Sequence, residues 1–156
     1  MTPESPDRSI GRTAARLARS VDVGLMGIDL SAAQYRMLLQ LAEGSEASTS
    51  LAKKLAVTAP SVTAVVDGLV HRGLVDRRHS EEDRRRVALT LTPEGRETLA
   101  LADSVVSDRL FLIAEELDAD ERQQAFAGLE IWKRALDSFR SRRIAAQLVD
   151  QAPVRA

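Results

Sequence analysis

Gly73-Leu74-Val75-Asp76-Arg77-Arg78-His79-Ser80-Glu81-Glu82-Asp83-Arg84-Arg85-Arg86-Val87-Ala88-Leu89-Thr90-Leu91-Thr92-Pro93-Glu94 is the stretch that decides the fold. Gly73 closes a helical pattern, as a left-handed C-terminal residue does. Residues 74–79 then read as a strand and 80–85 as a polar turn. Residues 87–91 alternate large side chains with small or polar ones, the period of a half-buried strand. Thr92-Pro93-Glu94 starts a helix with a capping hydroxyl, a proline at the first helical position and an acid in the first turn. The stretch is therefore a β-hairpin with a charged tip, set between two helices.

Upstream of the hairpin, Val62, Val65, Val66, Leu69 and Val70 make a helix from Thr58 to Arg72, with Thr58 as its cap and Pro60 in its first turn. Ser48-Thr49-Ser50 opens a shorter helix ending near Leu55. Two short helices with Leu51, Leu55, Val57, Val62 and Val65 at the apolar spots and Ala52 at their contact read as a helix-turn-helix, with Ala56 at the turn position usually taken by glycine. Ser31-Ala32-Ala33-Gln34 is a capping box before a helix carrying Tyr35, Leu38, Leu39 and Leu41, which Glu43-Gly44 stops. The outermost segments are also helical. Ile10, Ala14, Leu17, Val21 and Leu25 form one stripe, with Gly24 and Gly27 as its end. A long helix from Thr92 carries Leu99, Ala102, Val106, Leu110, Ile113 and Leu117 along one side. After Asp118 a last helix presents Leu129, Trp132, Leu136 and Phe139 at alternating steps of three and four, a coiled-coil-like seam. The fold class is mainly α with a small β-hairpin wing: a winged helix-turn-helix plus N- and C-terminal dimerisation helices.

The bulk properties narrow the function. The chain of 156 residues is 44% hydrophobic and 29% charged, ordinary for a globular protein. It has no cysteine, which excludes disulfides, thiolate metal sites and a cysteine nucleophile. His71 and His79 are eight residues apart, too far for a pair on one helix face, and neither a metal site nor a cofactor is expected. No apolar run suits a bilayer and residues 1–6 lack the core of a secretory signal, so the expected location is cytoplasmic, away from membranes. The net charge is −1, but its distribution is uneven. Residues 51–92 hold eight Lys/Arg against five Asp/Glu; residues 1–50 hold five against six, and residues 93–156 nine against twelve. A basic middle on acidic flanks is the pattern of a nucleic-acid reading head on its supports.

On this reading the helix from Thr58 is the candidate reading helix for double-stranded DNA. Thr58, Ser61, Thr63 and Ala64 lie on its contacting edge, and Lys53 and Lys54 meet phosphate rather than forming a merely solvated face. Arg84, Arg85 and Arg86 at the hairpin tip reach the minor groove, where the potential is most negative. Arg77 and Arg78 alternate on a strand, so one faces DNA and the other pairs with Asp76 or Glu81. Asp83 structures the wing. Ser61 has a second reading, as a local bond at the helix start. Trp132 reads as dimer core rather than a ligand platform.

Asp83, Arg85, Leu91, Thr92 and Gly95 match, in register, the wing signature of the MarR (multiple antibiotic resistance regulator) family, and the chain resembles that family over about residues 10–145. The segments 30–38, Leu51-Ala52 and Pro60-Ser61-Val62-Thr63 are similar to the family's second helix and reading helices. The resemblance implies a homodimer in which residues 1–30 and 118–148 interlock through Leu17, Val21, Leu129, Trp132, Leu136 and Phe139. Residues 31–92 would form the winged helix-turn-helix, 93–117 a connecting helix and 149–156 a frayed tail. It also implies an inverted-repeat operator and a repressor released by a small, often aromatic, anionic effector. One departure stands out: the family commonly carries an Arg after the position of Thr63, and here it is Ala64. No Lys or Arg occurs between Lys54 and Arg72, so bidentate Arg–guanine contacts from this helix are missing.

Three rival readings remain. An enzyme would need paired carboxylates, a phosphate-cradling glycine loop or an activated nucleophile, none of which the sequence offers. A winged helix that docks proteins would not need three arginines at its tip. A DNA-binding protein without a ligand switch would share every feature above.

Overall fold

A computed structural model describes residues 8–44, 46–47, 51, 58–79 and 87–150. In chain order the elements are α1 (Arg8–Leu25), a 3-10 turn (Met26–Ile28), α2 (Ala32–Ala42), β1 (Glu46–Ala47), α3 (Ala59–His71), β2 (Val75–His79), β3 (Val87–Leu91), α4 (Pro93–Ala114) and α5 (Ala119–Asp150). The helix ends follow local chemistry. Ser31 accepts from the Gln34 backbone N–H, and the Gln34 side chain accepts from that of Ser31, so both halves of the capping box are present. Thr58 and Thr92 cap α3 and α4 in the same way, each with a proline in the first turn. Gly73, at φ +70°, takes the left-handed position after α3.

The expected hairpin is present, but β3 is the middle strand of three. The sheet order is β1-β3-β2, antiparallel throughout, with Val75 opposite Leu91 and His79 opposite Val87. The added strand pairs Glu46 with Leu89 and Ala47 with Ala88. One core runs through the helices and the sheet: Leu25, Met37, Leu38, Leu51, Val62, Val66, Leu69, Leu74, Val75, Leu89, Leu99 and Ala102 are all buried in it. It holds α2, α3 and the sheet against the first half of α4.

Several apolar positions differ from the sequence reading. On α2 the buried set is Met37, Leu38 and Leu41, while Leu39 is exposed. On α4, Ala114 is buried and Ile113 is exposed, because the core-facing stripe continues as 99, 102, 106 and 114. Helix α1 continues through Gly24 to Leu25, and the left-handed residue that ends the following turn is Asp29, not a glycine. Helix α5 runs to Asp150, two residues into the expected tail. Among the described residues no helix is long and apolar enough to cross a membrane.

Candidate nucleic-acid interface

Helix α3 has two faces. Val62, Val66 and Leu69, spaced four and three apart, are buried against the core. Thr58, Pro60, Ser61, Thr63, Ala64 and Asp67 lie on the exposed side. The expected contact residues of this helix, Thr58, Ser61, Thr63 and Ala64, are thus brought together at its N-terminal end, where the helix dipole is positive. Two of them share a bond: the Ser61 hydroxyl lies 2.8 Å from that of Thr58, and the Ser61 N–H donates to Thr58 Oγ1 at 3.4 Å. The local bond at the helix start is therefore present, and Ser61 remains exposed. Thr63→Val tests the base-reading role. It keeps the shape and removes one hydroxyl, so it should lower discrimination between operator and random duplex by about 1–3 kcal/mol with little change on random DNA. Equal losses on both DNAs, measured by fluorescence anisotropy, would mean Thr63 does not read a base.

Asp67 is a residue of this surface that the sequence reading overlooked. It is the single acid on α3, and Arg77 Nη2 of β2 donates to its Oδ1. The sequence reading, which paired one of Arg77 and Arg78 with Asp76 or Glu81, did not foresee this partner for Arg77. Strand alternation sends Asp76 to the opposite face, whereas Arg77 faces α3. The pair is about half exposed, 43% and 54%, so its net contribution to stability is at most about 1 kcal/mol. It also places a positive charge beside the one carboxylate on the exposed side of α3. Arg78 stands in β2 opposite Ala88.

The base of the hairpin is tied to the end of α3. The Thr92 hydroxyl donates to the Gly73 carbonyl at 2.7 Å and accepts from the Gly95 N–H at 2.9 Å. The Thr92 N–H donates to the Leu74 carbonyl at 3.2 Å. Gly95 packs so closely that a Cβ there would stand 2.0 Å from that carbonyl oxygen. Leu91, Thr92 and Gly95, matched above as a motif, thus join three elements at one corner: the end of α3, the base of the wing and the start of α4. Asp83, Arg84, Arg85 and Arg86, with Lys53 and Lys54, lie outside the described residues.

The terminal helices present a second face. Leu17 of α1 and Leu129, Trp132 and Leu136 of α5 line a groove of about 560 Å³ together with Ile10. Trp132 and Leu136 are each 61% exposed in the single chain, and Phe139 is exposed beyond the groove. Val21, expected at the same seam, packs half-buried against the chain's own core. A further tie links α2 to α4, where the Tyr35 hydroxyl donates to Asp103 Oδ1 at 2.6 Å. Burial, and then the Asp103 hydrogen bond and charge, push the pKa of that hydroxyl above its ordinary value, so it stays protonated as a donor.

Comparison with known proteins agrees with this geometry. The family model described as "MarR family" matches residues 30–87. The HTH-type transcriptional regulator YfiV of Bacillus subtilis (strain 168) is 32% identical over 114 residues, which are 72% of this chain and 71% of that protein. The HTH-type transcriptional repressor YetL of the same organism is 37% identical over 76 residues, 47% of this chain and 46% of the relative. Among solved structures, wild-type MarR from E. coli in its apo form aligns with a TM-score of 0.72 at 26% identity, covering 85% of this chain and 96% of that one. The transcriptional repressor CouR bound to a 23-mer DNA duplex aligns with a TM-score of 0.68 at 30% identity, covering 83% of this chain and 93% of that one. With the two-faced α3, the wing tied to it and these relatives, the chain belongs to the MarR family and is an HTH-type transcriptional regulator.

Proposed function

We propose that this regulator works in the cytoplasm as a homodimeric repressor, without a catalytic step, that seats its two α3 helices in successive major grooves of an inverted-repeat operator. The observation that carries this reading is the exposed Thr58–Ser61–Thr63–Ala64 edge, held in fixed relation to the wing by the Asp67–Arg77 pair and the Thr92 bonds. Residues 1–30 and 118–148 serve as the dimerisation region, 31–92 as the reading head and 93–117 as the connection between them. Exposed apolar side chains on α1 and α5 support the dimer. The DNA-bound CouR structure supports the mode of binding, and a small anionic effector releases the operator.

Because α3 carries no Lys or Arg, phosphate attraction and minor-groove contact fall to Lys53, Lys54, Arg78 and the Arg84–Arg86 tip. Arg85, at the second ionic position of the wing motif, is the principal contact. A weakly hydrated guanidinium sheds its water at lower cost than an ammonium on entering a narrow groove. Arg85→Ala should weaken operator binding by about 1–3 kcal/mol per half-site and lower the salt slope by about one per subunit. Asp83→Ala should lose less. Titrating fluorescent operator at several salt concentrations measures both. Normal binding by Arg85→Ala, alongside failure of Arg84→Ala or Arg86→Ala, would reassign the contact; normal binding by all three would remove the wing from the interface.

A further inference from the structure

Helix α3 buries Val62, Val66 and Leu69. The line opposite them, at the same alternation of four and three, is Pro60, Ala64, Asp67 and His71, all exposed. Neither Pro60 nor Ala64 has a side-chain hydrogen-bonding atom, so Asp67 is the first residue on that outermost line able to recognise a polar group. Its Oδ1 accepts from Arg77 Nη2, which reaches it from β2 and orients the carboxylate. Its Oδ2 has no partner among the described residues, and the side chain is 54% exposed. An acid on a surface that meets DNA opposes the attraction of phosphates, and Arg77 offsets that charge while leaving the second oxygen open. Phosphate contact gives such a carboxylate no role, whereas base edges do, because some of them present donors.

We propose that Asp67 is a specificity-determining residue of α3: its Oδ2 accepts a hydrogen bond from the N4 amino group of one cytosine per half-site. This rests on the reading of the chain as a regulator that seats α3 in the major groove, and adds to it the identity of one base. In that groove cytosine presents a donor, thymine and guanine present acceptors, and adenine presents a donor beside the N7 acceptor. A carboxylate offers only lone pairs. It gains a bond from cytosine, meets thymine O4 or guanine O6 and N7 acceptor against acceptor, and is opposed at adenine by N7. Those repulsions contribute to discrimination as much as the bond does. The choice also fits the rest of the helix. Without a Lys or Arg, α3 cannot take guanine by its O6 and N7, and the cytosine amino group is the other handle on the same base pair. Arg77 is the positioning residue: held on Oδ1, it keeps the carboxylate in place and Oδ2 available.

Selection from a random-sequence duplex pool by the full native chain and by Asp67→Asn tests the assignment. Asparagine keeps a carbonyl for Arg77, and with it the tie between α3 and β2, but matches adenine through N6 and N7. Because the pair is about half exposed, variants at this position retain the fold. The expected result is a cytosine in each half-site of the native selection that becomes adenine with Asp67→Asn, the other positions being unchanged. Replacing that cytosine by N4-methylcytosine puts a methyl group where the amino hydrogen points into the major groove, while pairing with guanine persists. It should weaken the native protein about tenfold per half-site and leave Asp67→Ala unaffected. Identical enriched sequences for the native chain and Asp67→Asn, or equal sensitivity of the native chain and Asp67→Ala to the methyl group, overturn the assignment and leave the DNA reading standing. If the native chain enriches no sequence at all, the DNA reading itself fails and the assignment falls with it.

Discussion

Gly95→Ala is expected to cost the protein about 3 kcal/mol or more of stability, an overpacking effect at the upper end for a single methyl. The added Cβ would stand 2.0 Å from the Leu74 carbonyl oxygen, 3.0 Å from its carbon and 3.3 Å from Thr92 Oγ1. The first two are backbone atoms, which no rotamer change moves aside. Relief requires α4 to back away from the corner where α3 meets β2, and that stretches the Thr92 bonds to Gly73 and Leu74. The wing should then lose its fixed relation to α3, so operator affinity falls even where the variant remains folded. Gly128→Ala provides the contrast. A Cβ there meets nothing within 4 Å, and the residue is inside α5, so replacement should stabilise by up to about 1 kcal/mol. Urea unfolding of both variants measures the difference. Native-like stability for Gly95→Ala would mean that the corner is looser than its geometry indicates.

Leu136→Asp should convert a dimer into a monomer. A single protomer leaves Trp132, Leu136 and Phe139 exposed along one side of α5, with Leu17 and Ile10 across the groove. Apolar surface of this kind, continuous over two helices, is the mark of an interface. In a two-fold dimer each substitution enters the seam twice, and a carboxylate there must be desolvated without a partner, at a cost of several kcal/mol. Sedimentation should show native dimers at micromolar concentration and monomers of the variant that retain helical content. A native chain that sediments as a monomer would contradict the arrangement outright.

What could be read from sequence was what local chemistry decides. The caps at Ser31, Thr58 and Thr92, the left-handed Gly73 and the limits of β2 and β3 depend on neighbours within a few residues. The two-residue β1 has no period to detect, because it exists only through its pairing with Leu89 and Ala88. The Asp67–Arg77 pair was hidden for a related reason: Asp76 and Glu81 are nearer in sequence, but the partner is chosen by the packing of β2 on α3. Met37 in place of Leu39 and Ala114 in place of Ile113 are shifts of one or two positions on a helix, where several apolar residues compete for one face. Gly95 was recognisable as part of a motif, yet its reason, contact with the carbonyl of a residue 21 positions earlier, is purely tertiary.

The most direct test of a two-fold reader of DNA is selection of sites from a random-sequence duplex pool by the native protein, with the protomer count per duplex measured on the selected DNA. Two protomers should occupy each site, and the enriched sequences should be inverted repeats whose half-site centres lie about 10 bp, or a small multiple of that, apart. Enrichment of single, unpaired half-sites, or no enrichment over the starting pool, would contradict the account.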